Sequence, residues 1–169
     1  MDNILLNKSP FNSEIELGLR ALTILVSSYP RTYTLHDLVV LDYFLVHSKD
    51  LSEKSEESLH PNVPFRSGEL LIKQDKLKTG LHLYMHKGLI QLNLTDGGFK
   101  YSASDSSRYF LDLLSNQYTI NLEKKAKWLS IAITKITDKE LKKIINKNLT
   151  EWNFDTFIET DFIKDSNNE

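Results

Sequence analysis

Residues 59–103, LHPNVPFRSGELLIKQDKLKTGLHLYMHKGLIQLNLTDGGFKYSA, decide the fold, because they read as a helical pair followed at once by a tight hairpin. Gly80 and Gly88 punctuate the helical part, and Gly88 stands where a helix C-terminus needs a residue that tolerates positive φ. The pattern then switches to period two. Ile90, Leu92 and Leu94 lie on one face, and Phe99, Tyr101 and Ala103 answer them across the turn Asp96-Gly97-Gly98. Helices followed by a hairpin are the order of a winged helix, a fold that usually binds DNA or serves as a docking module. The expected class is therefore mainly α with a small β-hairpin, a winged-helix-like core plus a C-terminal helical lobe. The expected units are a core over 13–104, a helical lobe over 105–162 and a frayed tail over 163–169.

Outward from that stretch, Ser13 and Glu16 form a capping box ahead of Ile15, Leu19, Leu22, Leu25 and Val26, whose spacing is helical. This helix must end before Pro30. Thr34 and Asp37 open a second helix, so apolar all round through Val46 that it belongs at the centre of the core. Residues 48–58, SKDLSEKSEES, have few large apolar groups and read as a mobile surface loop. After the hairpin, Ser104 or Asp105 caps a short helix and a longer one follows over about 117–136. Thr137 and Glu140 make a further capping box, for a helix carrying Leu141, Ile144, Ile145 and Leu149.

The 169 residues are 40% apolar and 26% charged, with a net charge of −2, the composition of an ordinary globular chain rather than one held to nucleic acid by bulk charge. With no cysteine there are no disulfides, thiolate metal sites or cysteine nucleophiles. No apolar run approaches the roughly 20 residues that cross a bilayer, and the first residues, MDNILLNKSPFN, lack the pattern of a secretory leader, so the expected location is the cytoplasm.

Candidates for chemistry are few. His82 and His86 have the four-residue spacing of a metal-binding pair, but no glutamate follows His82 and no further ligand is in view. Asp42, His47 and Ser48 make a triad by composition only. No phosphate-binding glycine loop is present. The expectation is a protein that is not an enzyme and holds no cofactor or metal. His60, Arg66, Ser67 and Glu69 form a polar cluster at a helix start, either a structural clasp or part of a partner interface. Trp152, Phe154 and Phe157 follow a lysine-rich segment and either dock a partner or fold back on the helical lobe. For DNA, residues 66–91 hold five bases against two acids, which makes Lys73, Lys76, Lys78 and Lys87 the candidate phosphate contacts.

Four segments, EIELGLRAL (14–22), VLDYFLVHS (40–48), LHPNVPFRSGELLIK (59–73) and GLHLYMHKGLI (80–90), together resemble the small middle component of ABC three-component systems, in particular LmuC-like subunits of Lamassu anti-phage defence. The likeness spans about 13–152, and the run LHPNVPFRSGELL is its most distinctive part. The resemblance implies a non-catalytic adaptor or regulatory subunit of a bacterial anti-phage or anti-plasmid complex. It would bridge an SMC/Rad50-like coiled-coil ATPase and an effector, commonly a nuclease, reach DNA through the complex, and have no membrane partner. The alternative is a standalone winged-helix transcriptional regulator.

Overall fold

The helix starts are where the side chains can cap them. In this computed structural model, which describes residues 12–48, 66–137, 139, 140 and 143, with only the backbone of 66–72, Ser13 Oγ accepts the Glu16 N–H at 3.2 Å and opens α1 (Glu14–Ser27). The return half of the expected capping box is not made there. Glu16 turns its carboxylate to the Asn12 N–H instead, at 2.6 Å, because a buried arginine recruits it. Thr34 and Asp37 do form the full reciprocal box, at 3.1 and 3.0 Å, and start α2 (Leu35–Val46). Every residue of α2 from Leu38 onward is buried, so the apolar-all-round pattern placed the central helix correctly.

The expected helical pair is one unbroken helix, α3 (Arg66–His86), and this corrects the reading of Gly80 as a break. Gly80 lies inside α3 where it crosses α1. A Cβ there would overlap the Glu14 carbonyl oxygen and come within 2.8 Å of the Gly18 nitrogen. On the other helix, a Cβ at Gly18 would lie 2.5 Å from Cδ2 of Tyr84. The two backbones are thus in contact, and the Tyr84 hydroxyl donates to the Ile15 carbonyl at 3.3 Å. Gly88 ends the helix as expected, with φ of 70°. Its N–H donates to Met85 O at 2.9 Å and that of Leu89 to Tyr84 O at 3.0 Å, the paired bonds of a Schellman motif.

The hairpin follows at once, β1 (Ile90–Thr95) antiparallel to β2 (Gly98–Ala103). Ile90 pairs with Ala103, Leu92 with Tyr101 and Leu94 with Phe99, the register that the alternation required. The strands close at the Thr95–Gly98 pair, which leaves Asp96 and Gly97 as the turn, and the positive φ falls on Gly98, at 89°. Tyr33, between α1 and α2, adds a single antiparallel bridge to Tyr101 on the far side of β2. Ser104 then donates from its hydroxyl to Gly88 O at 2.7 Å, which ties the hairpin exit to the end of α3.

α4 (Ser106–Asp112) has Asp105 at its N-cap without a side-chain capping bond, and α5 (Gln117–Thr134) is capped by Asn116, whose side chain accepts from Thr119 N at 3.0 Å. The architecture is mainly α with one small hairpin. Leu111, Leu122, Ala126, Leu129 and Ile133 of α4 and α5 join the same apolar cluster as Leu17 and Leu22 of α1, Phe44 and Leu45 of α2, and Leu77 and Leu81 of α3. Past α5, Thr137 and Glu140 complete the expected box, at 2.8 and 3.2 Å, and the Thr137 N–H and hydroxyl, both donating to the Glu140 carboxylate, hold it below its ordinary range. Leu141, Ile144, Ile145 and Leu149 lie outside the described residues. Among the described residues no helix is long and apolar enough to cross a membrane.

Candidate functional site

Among the described residues, a densely bonded polar cluster joins α1 to α2 and carries no local motif. Arg20 of α1 is fully buried, at 0% exposure, and grips Asp42 of α2 with two parallel bonds, Nε to Oδ1 at 2.6 Å and Nη2 to Oδ2 at 2.7 Å. This fork-on-fork geometry suits a planar guanidinium and a carboxylate. Nη1 also donates to Glu16 Oε1 at 3.2 Å, and both terminal nitrogens reach Asn12 Oδ1. Asn12 holds a left-handed φ of 66°, a conformation asparagine tolerates better than most residues. From α5, the Tyr118 hydroxyl closes the network on Glu16 Oε1 at 2.7 Å.

Electrostatics explain why the charges persist in the interior. Burial by itself would lower the Arg20 pKa, but the adjoining Asp42 charge, its hydrogen bonds and Glu16 more than offset that and raise it above the ordinary value. Tyr118 is pushed far above the usual phenol range, first by burial and then by its bond to Glu16, so it stays a neutral donor. A lone arginine in α1 and a single aspartate within the apolar run of α2 from Leu38 onward were the available signal. Two isolated opposite charges on two buried helices predict a pair, since neither is tolerated alone.

That pairing also answers the proposed triad. Asp42 is committed to Arg20. His47 lies five residues further along the chain, at the C-cap of the helix, with its ring 4.7 Å from that of Tyr43. Ser48, read as the start of a mobile loop, is buried and accepts from Lys125 Nζ of α5 at 3.2 Å, while the rest of that loop lies outside the described residues. Among the described residues Asp42 is thus bonded to Arg20 rather than set to orient His47.

Of the candidate interface residues, Arg66, Ser67 and Glu69 occupy the first turn of α3, whereas His60, Trp152, Phe154 and Phe157 lie outside the described residues. Lys73 needs correction as a phosphate contact. It is only 3% exposed, on the side of α3 that carries the buried Leu77 and Leu81, because a position that looks basic by count falls on the inward face of the longer helix. Lys76 is half-buried, and Lys78 and Lys87 are exposed. His82 and His86 are exposed too, with Nδ1 of His86 2.8 Å from the carbonyl of His82, an engagement that takes one ring nitrogen from any metal role. Among the described residues no group of three or more His, Asp or Glu side chains is placed to hold a metal ion.

The surface carries an apolar feature at the hairpin tip. On the face where Ile90 and Tyr101 enter the core, the outer residues Leu92, Leu94 and Phe99 stand in solvent, with Leu94 75% and Phe99 62% exposed. The opposite face bears Gln91, Asn93, Thr95, Lys100 and Ser102, and Asn93 donates to the Ser102 hydroxyl at 2.9 Å. α4 is pinned to α5 by Arg108, which pairs with Asp112 on its own helix and with Glu123 at 2.9 Å.

No curated protein and no solved structure matches the chain. A family model does, the ABC-three component (ABC-3C) system Middle Component 2, and its match runs over residues 10–155, from the arginine network through the hairpin to the segment past α5. With nearly the whole chain inside that match, this protein belongs to the Middle Component 2 family of ABC-three component systems.

Proposed function

We propose that this chain is the non-catalytic adaptor and regulatory subunit of a Lamassu-type bacterial anti-phage or anti-plasmid complex. In this reading it joins an SMC/Rad50-like coiled-coil ATPase to an effector nuclease in the cytoplasm and restrains the effector until foreign DNA is sensed. The observation that carries the reading is the family match over 10–155, since a middle component of a three-component system has companion subunits. The geometry is in keeping with a scaffold: the buried Arg20 and Asp42 and the half-buried Glu16 are bonded to one another and tie α1 to α2. The order α1, Tyr33 bridge, α2, α3 and hairpin supports a winged-helix-like core, a fold that suits docking.

Co-expression with the neighbouring ATPase and effector genes tests this. The three proteins should purify together, and omission of this chain should separate effector from ATPase. Trp152→Ala should lower recovery of the partners while the melting temperature of the isolated chain stays the same, because aromatic anchors dominate interface energetics. A chain that elutes alone from such a lysate sinks the proposal.

A second reading, a standalone DNA-binding regulator, is favoured by the exposed Lys78 and Lys87 near the end of α3, with Lys76 half-buried beside them. Charge contacts of this kind make affinity fall steeply with salt. Under that reading, replacement of Lys78 and Lys87 by Gln flattens the salt dependence of binding to duplex DNA. Under the adaptor reading the isolated chain binds duplex weakly and both substitutions leave it unchanged.

A further inference from the structure

Among the described residues, β1 is an edge strand with an open side. The Tyr33 bridge fixes the hydrogen-bonding phase of the hairpin: Tyr101 N–H donates to Tyr33 O at 2.7 Å and Tyr33 N–H to Tyr101 O at 3.1 Å, so both backbone groups of Tyr101 point away from β1. Its partner Leu92 is therefore in a non-hydrogen-bonded pair, and by alternation so is Leu94. The backbone N–H and C=O groups of Leu92 and Leu94 face outward from the hairpin. Among the described residues nothing pairs with them, as the sheet is β1 and β2 alone.

Natural edge strands are usually guarded by a charge, a proline or a bulge. β1, with the sequence IQLNLT, has none of these and pairs with β2 without a break in register. It is also self-complementary. When two copies lie antiparallel about a two-fold axis at Asn93, Leu92 of one faces Leu94 of the other, Gln91 faces Thr95, and Asn93 faces Asn93. Apolar then meets apolar and neutral polar meets neutral polar. The hydrogen-bonding phase agrees as well, since Leu92 and Leu94, the residues with outward backbone groups, become the hydrogen-bonded pairs. The two-fold keeps both leucine faces on one side of the sheet. The exposed Leu94 and Phe99 of each hairpin are then carried toward the base of the other, where Ile90 and Tyr101 enter the core.

We propose that β1 is a self-pairing edge, through which two copies of this chain join antiparallel about Asn93 into one four-stranded sheet. The occupant is a second copy, because a charge-free strand that matches itself in side-chain face and hydrogen-bonding phase offers no feature for selecting a charged partner strand.

Sedimentation of the full chain over a concentration series should show a reversible monomer–dimer equilibrium. Asn93→Asp sets two carboxylates opposite each other at the two-fold axis, yet within one hairpin it faces Lys100 and can accept from the Ser102 hydroxyl, to which Asn93 donates in the parent. It should weaken the dimer and leave the melting temperature at or above that of the parent. Leu94→Pro removes an outward N–H that the hairpin does not use, a place where an edge strand tolerates proline. With two such bonds lost per dimer, the dissociation constant should rise by about tenfold. Asn93→Cys gives a register-specific readout in a chain with no other cysteine. Facing residues of a non-hydrogen-bonded pair stand about 4.5 Å apart at Cα, within disulfide range. Under mild oxidant this variant should form a covalent dimer well ahead of Gln91→Cys. A chain that is monomeric throughout, or Asn93→Cys and Gln91→Cys variants that cross-link at the same rate, overturns the proposal. So does an Asn93→Cys variant that cross-links to a different subunit in the assembled complex.

Discussion

Asp42→Ala will cost the fold about 3–5 kcal/mol, the usual penalty for removing one partner of a buried ion pair. The guanidinium of Arg20 would remain fully buried with its two strongest acceptors gone. Glu16 and Asn12 hold only its outer nitrogens, at 3.1 to 3.2 Å. Against a typical total of about 5–15 kcal/mol, the loss removes a large part of the stability. Urea denaturation reads it as a lower midpoint with an unchanged slope. The matching double variant, Arg20→Met with Asp42→Leu, should recover most of the loss, since two apolar groups of similar volume can replace a buried pair at little cost. An Asp42→Ala midpoint equal to the parent's would mean that the network does not hold α1 and α2 together.

Gly80→Ala carries the second large effect, and its sign is the informative part. In an exposed helix interior this change stabilises by about 1 kcal/mol, because alanine restricts the unfolded chain and favours the helix. At Gly80 the new methyl would meet the backbone of α1 at Glu14 and Gly18, atoms that cannot move aside as a side-chain end can. The helices would have to separate along one of the main contacts of the core. A destabilisation of about 3 kcal/mol or more is expected, at or above the upper end of overpacking penalties. Gly97→Ala is the control, since its nearest neighbour would be the Lys100 side chain at 3.7 Å, an ordinary contact. Thermal unfolding of the two variants side by side separates a packing constraint from a general intolerance of alanine.

These two sites mark where the sequence was readable and where it was not. The caps at Thr34 and Thr137, the buried run of α2, the C-terminal glycine of α3 and the hairpin register all follow from local spacing, and the structure has each of them. Gly80 misled because a glycine within a helical pattern has two physical causes, a chain break or a close approach, and only the identity of the facing helix separates them. Lys73 misled for another reason. A count of charges ignores helical phase, and the four-residue spacing from Lys73 to Leu77 places that lysine on the inward face. The Arg20–Asp42 pair spans 22 residues and joins two helices, so no local motif announces it. The family likeness, by contrast, was legible because it depends on a long order of residues rather than on any one contact.

The meeting of α1 and α3 at Gly18 and Gly80 also has a mechanical consequence. Packed helices accommodate shear when a layer of side chains between them can reorient. At the Gly80 crossing backbone touches backbone, with no side chain between to reorient. α3 continues through the Schellman turn into the hairpin, whose exit is stitched back to Gly88 by Ser104. A push on the hairpin is therefore delivered to α1 as a displacement of the whole assembly rather than absorbed by sliding. The far end of that stiff train is the first turn of α1, where Glu16 and Asn12 meet Tyr118 of α5 and the arginine cluster. Strain applied at the hairpin tip arrives at the buried Arg20–Asp42 joint.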